Sequence, residues 1–193
     1  TNLVKFVILL HQTLDDYVAA RMTTKLLTRA GEVAVQSQAL LAKVEAAYGV
    51  PANVMVAIWG IESNFGQITG SRSTIRSLAT LAYDARRALF RSELFEALRI
   101  IDRGLVTKDD LKGSWAGAIG QPQFMPSSFL KHAVDFDGDG RINLWTSEAD
   151  VLGSMAEYLS AAGWTKGERW GREVRVSETV LDAIDQQVPK RTA

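Results

Sequence analysis

No cysteine occurs among the 193 residues. That excludes disulfides, thiol catalysis and cysteine-ligated metals, but leaves the compartment open, because periplasmic and cytosolic chains can both lack cysteine. Net charge is missing too, since 22 basic side chains balance 22 acidic ones. Without a basic excess there is no global electrostatic case for nucleic acid or for an anionic membrane surface. No nucleic-acid partner is expected. Long apolar runs are also absent. Residues 4–10 (VKFVILL) are interrupted by Lys5 and are far too few to span a bilayer. They lack the basic start and cleavage site of a signal peptide, and read as a core helix or strand, or as the cut end of a larger protein.

What is present is a globular, helical pattern. Nearly half of the residues are hydrophobic and about a quarter are charged. A chain of this length buries roughly 70% of its unfolded surface, so it needs no staple to fold. Apolar residues at helical spacing run through 14–48, with Gly31 as a break between two helices. Gly49 then stops the helix and Pro51 opens the next, which Asn64 and Gly66 close. A further helix is predicted over 78–103, with its acids and arginines on a solvated face. Thr107 and Asp110 start a short helix, followed by a Gly/Ser/Pro loop over 113–126 and a helix near 127–133. The last helix spans 149–162 and ends at Gly163. One short strand, 173–176 (EVRV), is expected in the tail. With no repeat or linker, one mainly α domain over 1–193 is the economical reading.

Glu62 is the most informative side chain. The segment before it, VMVAIWGI, is apolar all round, so the helix should be buried on most sides. A carboxylate in its final turn loses hydration and faces the negative end of the helix dipole, and both effects raise its pKa. A general acid working near neutral pH requires that shift. The bland alternative is a glutamate that escapes to solvent at the helix end. Ser63, Asn64 and Phe65 tip the balance, since polar groups beside an aromatic are typical of a cleft wall.

The nine residues IWGIESNFG, and the loop GSWAGAIGQPQFMPSSF after them, resemble the paired signatures of the membrane-bound lytic transglycosylase B family. TLAYDARR, VDFDGDGRINLW and EYLSAAGW follow in the family order, so the similarity runs over residues 17–170. The resemblance implies a lysozyme-like helical fold. It also implies cleavage of the bond between N-acetylmuramic acid and N-acetylglucosamine in peptidoglycan without water, leaving a 1,6-anhydro sugar. Glu62 would be the catalytic residue, acid first and base second. The usual second glycosidase carboxylate is not evident in the cleft motifs, and the family's chemistry does not need one. Ser114 and Gln123 match family positions around the acid and the muramic acid site. Phe124 and Met125 would touch sugar faces, and Tyr158 would stack or donate a hydrogen bond. Tyr17 matches a further substrate aromatic. Core packing is the competing reading for Phe124, Met125 and Tyr158, and a turn cap is the competing reading for Ser114. Trp59 reads as core, while Trp115 and Trp145 remain open between core and cleft.

Asp135, Asp137, Asp139 and Gly140, with Ile142 after them, repeat the start of an EF-hand calcium loop. Arg141 would offer its backbone carbonyl, and Asn143 a direct or water-mediated contact. The usual closing Glu is missing, since position twelve is Thr146. The resemblance places the closing acid later, at Asp150, with Glu148 as the fallback. Three clustered aspartates repel one another without a cation, which favours a structural Ca²⁺ over a solvated Asp/Gly turn. No cofactor is needed for the chemistry.

The resemblance further implies peptidoglycan glycan strands as the partner and a monomeric enzyme. It implies the periplasm or outer-membrane-associated envelope of a Gram-negative bacterium, with the membrane reached only through an N-terminal anchor outside this chain. The family's N- and C-terminal portions are expected to be missing here. Two other readings stay open at this point: a goose-type lysozyme-like hydrolase, and an inactive calcium-dependent peptidoglycan-binding domain.

Overall fold

The computed structural model describes residues 13–83, 88–168, 171 and 174–187. The apolar stretch 4–10 lies outside the described residues. Helices dominate: α1 (Leu14–Arg21), α2 (Thr24–Gln36), α3 (Gln38–Tyr48), α4 (Ala52–Ser63), α5 (Thr74–Ala82), α6 (Ala88–Asp102), α7 (Pro126–His132), α8 (Glu148–Ala161) and α9 (Glu178–Gln187). Among the described residues, strands are limited to β1 (Arg72–Ser73) and β2 (Lys112–Gly113), an antiparallel ribbon with Arg72 opposite Gly113.

Among the described residues, two apolar clusters hold α2 to α8 together. One joins α2, α3, α4 and α8 through Val33, Leu41, Val44, Met55, Trp59, Leu152 and Met155. The other joins α5, α6, α7 and the loops through Leu78, Ala97, Ile100, Leu111, Ile119, Phe129 and Leu144. Helix α7 packs on both α6 and α8 and so connects the clusters. The boundaries have local causes. The Thr23 hydroxyl accepts from the Leu26 N–H at the start of α2, and the Ser147 hydroxyl accepts from the Asp150 N–H at the start of α8. Gly49 and Asn64 close α3 and α4 in left-handed conformations.

Several expectations need correction. Gly31 lies inside α2, where a glycine is tolerated at a cost of about 1 kcal/mol. The break comes instead at Ser37, whose hydroxyl donates to Glu148 on α8 at 3.1 Å. Pro51 sits one residue before α4, at its N-cap. The expected helix over 78–103 is two helices, α5 and α6, packed closely on each other, because the apolar positions of both face the second cluster. Residues 107–111 form a single turn that feeds β2, with the Leu111 carbonyl accepting from the Thr74 N–H. Pairing with β1 stops that turn from growing into a helix. In the expected tail strand, Glu173 lies outside the described residues, and Val174, Arg175 and Val176 are exposed and unpaired. A helix, α9, follows them.

Helix α4 is less enclosed than its composition predicts. Met55, Val56, Trp59 and Gly60 are buried, but Asn53, Ala57 and Ile61 form an exposed stripe, with Ile61 54% exposed. No single helix among the described residues is long and apolar enough to cross a membrane.

Candidate active site

Glu62 lies in the last turn of α4, immediately before a reversal of the chain. Asn64 and Phe65 have φ of 50° and 57°, and Gly66 has 80°. Side chains rarely adopt such values, and each costs roughly 1–2 kcal/mol outside glycine. Packing offsets that cost. The Phe65 ring meets Trp59 edge-on at 5.7 Å, and the buried Ser63 hydroxyl accepts from the Gly66 N–H at 3.0 Å. A side chain at Gly66 would lie 2.5 Å from Gln121. The turn therefore carries the chain away at once and leaves the Glu62 carboxyl at the edge of a cleft.

That cleft, of about 280 Å³, is lined by Ile58, Glu62, Pro122, Gln123, Phe124, Met125, Ser128, Met155, Tyr158 and Leu159. Glu62 is exposed at its rim, and no described residue hydrogen-bonds its carboxyl. The apolar walls still remove enough water that burial pushes its pKa above the ordinary value. The direction is the one the sequence predicts, and desolvation is its cause.

Four of the six expected substrate residues line the same cleft: Gln123, Phe124, Met125 and Tyr158. Gln123, at φ 53°, donates from its side-chain amide to the carbonyls of Thr69 and Gly120, which pins two loops together. Phe124 is buried and leans on the Tyr158 ring at 5.4 Å. Met125 precedes α7. Ser114 is not among the lining residues; its hydroxyl accepts from the Ala118 N–H and caps its own loop. Tyr17 is not brought there either. It lies on α1, with the Arg21 guanidinium 4.5 Å from its ring centre. Trp59 is core, Trp145 packs on Phe129, and Trp115 is 64% exposed.

Two supports escaped the sequence reading. Gln121 accepts from the Trp59 indole N–H at 2.6 Å and donates to the Trp145 carbonyl at 2.9 Å, which ties α4 to the loop facing it. Its only signal was its place two residues before Gln123. Glu93, expected on the solvated face of α6, is buried. It accepts from both the N–H and the hydroxyl of Ser127 and so caps α7 from a neighbouring helix. Periodicity could not reveal a partner 34 residues away.

Beside β1 and β2 lies a larger depression, about 1060 Å³, bounded by residues 69–71, by residues 104–107, Asp110 and Lys112, and by part of the aspartate loop. It does not include Glu62. In that loop, ligand atoms of Asp135, Asp137 and Asp139 lie within 4.8 Å of one another. Their carboxylates are oriented by backbone. Asp135 accepts from the N–H groups of Gly138, Asp139 and Gly140, and Asp139 accepts from that of Arg141. Such a set of hard oxygens fits a hard cation. Asp150 sits beneath the loop, accepting from Phe136 at 2.9 Å and from Asn143 at 2.7 Å. Burial raises its pKa, those two hydrogen bonds oppose the rise, and Asp137 and Asp135 add to it. Glu148 is engaged by Ser37.

The family model described as the transglycosylase SLT domain matches residues 9–193. The chain belongs to that family. It is 45% identical over 126 residues to membrane-bound lytic murein transglycosylase B of Escherichia coli (strain K12), covering 63% of this chain and 34% of that protein. Among solved family structures, SltB3 of Pseudomonas aeruginosa in complex with NAG-anhNAM-pentapeptide is 42% identical with a TM-score of 0.81, over 86% of this chain and 45% of the other. The Escherichia coli lytic transglycosylase Slt35 in complex with calcium is 39% identical with a TM-score of 0.73, over 78% of this chain and 48% of the other. The chain thus spans about a third of the curated relative and about half of the solved ones. The mainly helical, lysozyme-like fold class expected from the resemblance holds for this family member.

Proposed function

We propose that this chain is the catalytic core of a lytic transglycosylase that cleaves the β-1,4 bond between N-acetylmuramic acid and N-acetylglucosamine in peptidoglycan strands. One observation carries the reading: among the described residues Glu62 is the only carboxylic acid lining its cleft, and burial holds it toward the protonated form. Hydrolytic glycosidases generally use two carboxyl groups, so a one-acid cleft calls for chemistry that recovers its own proton. Glu62 protonates the glycosidic oxygen, the bond to the anomeric carbon breaks, and the N-acetylglucosamine end leaves as an alcohol. The carboxylate then takes the proton of the sugar's 6-hydroxyl, whose oxygen bonds to the anomeric carbon. Atoms balance without water, and the acid is restored.

Gln123 would orient the muramic acid, Phe124, Met125 and Tyr158 would contact sugar faces, and Ser114 would keep its loop in shape beside the acid. Tyr17 would serve a more distant part of the strand. Ca²⁺ would be held by Asp135, Asp137, Asp139 and the Arg141 carbonyl, with Asp150 closing the set, and would contribute rigidity rather than chemistry. The relative crystallised with calcium supports that assignment. The relative crystallised with an anhydro-muropeptide supports the substrate class. The similarity to a membrane-bound enzyme supports a place in the cell envelope.

Digestion of purified peptidoglycan by this chain and by Glu62→Gln, read by mass spectrometry, tests the reading. Anhydro-muropeptides from the parent and none from the variant are expected. Reducing-end products would make it a lysozyme-like hydrolase, and no products from either would make it a binding domain.

A further inference from the structure

Behind the aromatic wall of the cleft lies a polar pair that the proposed chemistry does not use. His132, at the end of α7, is buried, and its Nδ1 stands 2.7 Å from Glu157 Oε2 on α8. The His132 ring meets the Tyr158 ring nearly at right angles, with centroids 5.0 Å apart. Tyr158 in turn rests on Phe124 at 5.4 Å, and both line the cleft that holds Glu62. Three rings therefore stand in a row. Glu157 holds the His132 end of this series, and Tyr158 and Phe124 line the cleft beside the acid.

Tyr158 needs such an anchor. It lies in the last turn of α8 and is 40% exposed. A ring there has more than one staggered position open to it unless its neighbours close the others. His132 closes one side and Phe124 the other. Because Glu157 holds the imidazole, the charge of the pair reaches the ring that would receive a sugar.

We propose that His132 and Glu157 are positioning residues, which hold Tyr158 in its substrate-receiving place and make that hold depend on the protonation of His132. The proposal rests on the functional reading above. Other titratable or charged groups share the neighbourhood: Tyr158 itself, Tyr48 on α3, whose pKa is raised by burial and then by Glu157, exposed Lys131 beside His132, and Glu62 across the cleft. Among these side-chain types, only an imidazole ordinarily changes charge between about pH 5 and pH 8.

The test is calorimetric binding of a short N-acetylglucosamine–N-acetylmuramic acid oligosaccharide, in a Glu62→Gln background that cannot cleave it. Parent, His132→Phe and Glu157→Gln are compared from about pH 5 to about pH 8. The parent should bind more tightly at the acidic end. His132→Phe, which keeps a ring against Tyr158 but loses the bond to Glu157, should weaken binding about 2- to 10-fold, the scale of one hydrogen bond, and abolish the pH dependence. Glu157→Gln, which keeps an acceptor and spares the buried ring, should keep a pH dependence but move it to lower pH. Weakening by His132→Phe with an unchanged pH dependence would reduce the pair to scaffold and overturn the proposal. So would identical binding by all three proteins. A parent that binds nothing would overturn the functional reading, and the proposal with it.

Discussion

The last turn of α4 and the loop after α7 both carry acids at the surface, and they treat those acids in opposite ways. In the loop, backbone N–H groups converge on Asp135 and Asp139 and fix where their carboxylate oxygens point. At Glu62 no such donor approaches among the described residues. Apolar side chains of α4, α8 and the facing loop stand nearby instead, and burial disfavours the charge. One region aims backbone donors at its carboxylates, as the proposed cation site requires; the other sets a carboxyl among apolar side chains, as the proposed general acid requires. Residue type is shared; the number of aimed donors separates them.

Exchanging acid for amide in each region separates the two roles with the largest effect. Glu62→Gln should reduce strand cleavage by at least about 10²–10⁴-fold, the span of general acid–base contributions, with the fold intact by circular dichroism. Asp139→Asn should instead lower thermal stability in calcium and leave cleavage at saturating calcium within about 10-fold of the parent. Equal losses of activity from both would erase the distinction.

Calcium itself sharpens the loop side. Raising free Ca²⁺ to a hundred times its dissociation constant should stabilise the protein by about 2.7 kcal/mol, seen as a rise in Tm that a chelator reverses. A Tm indifferent to calcium would leave the loop an Asp/Gly turn.

Glycines probe how tightly each region is built. Gly66 and Gly138 both have left-handed φ, of 80° and 75°. A methyl group at Gly66 would meet Gln121 at 2.5 Å, whereas one at Gly138 meets nothing within 4 Å. Gly138→Ala should cost about 1 kcal/mol, the conformational penalty alone. Gly66→Ala should add about 1–3 kcal/mol of overpacking. Denaturant titration measures both, and equal costs would mean that the turn beside Glu62 is looser than its packing implies.

The smallest effect is a pH dependence of stability. Glu62 has a raised pKa in the folded chain, so its contribution is fully present below the unfolded value and is lost as pH rises through the folded one. Ionised Glu62 therefore weakens the fold at neutral pH. Glu62→Gln should melt above the parent at pH 7 and converge with it in acid. A difference that grows toward acid would reverse the assigned sign.

Much of this was legible in the residues. Gly49 and Asn64 marked helix ends because only such residues enter left-handed caps cheaply, and the loop motif placed Gln123, Phe124 and Met125 beside Glu62. What could not be read were contacts between distant segments. Ser37 interrupts a helical pattern because Glu148 draws its hydroxyl, Glu93 is buried because Ser127 needs a cap, and Gln121 is fixed between Trp59 and Trp145. In each case a polar side chain is placed by a partner that periodicity does not encode. Ser114 is the opposite case: its position matched, but its hydroxyl serves its own turn.

The most direct test of the account is digestion of peptidoglycan by this chain in water enriched in ¹⁸O, with the new muramic acid ends weighed by mass spectrometry. One acid acting in turn as donor and acceptor predicts anhydro ends that carry no ¹⁸O. Reducing ends that carry one ¹⁸O each would show that water, not the sugar's own hydroxyl, completes the reaction, and would contradict it.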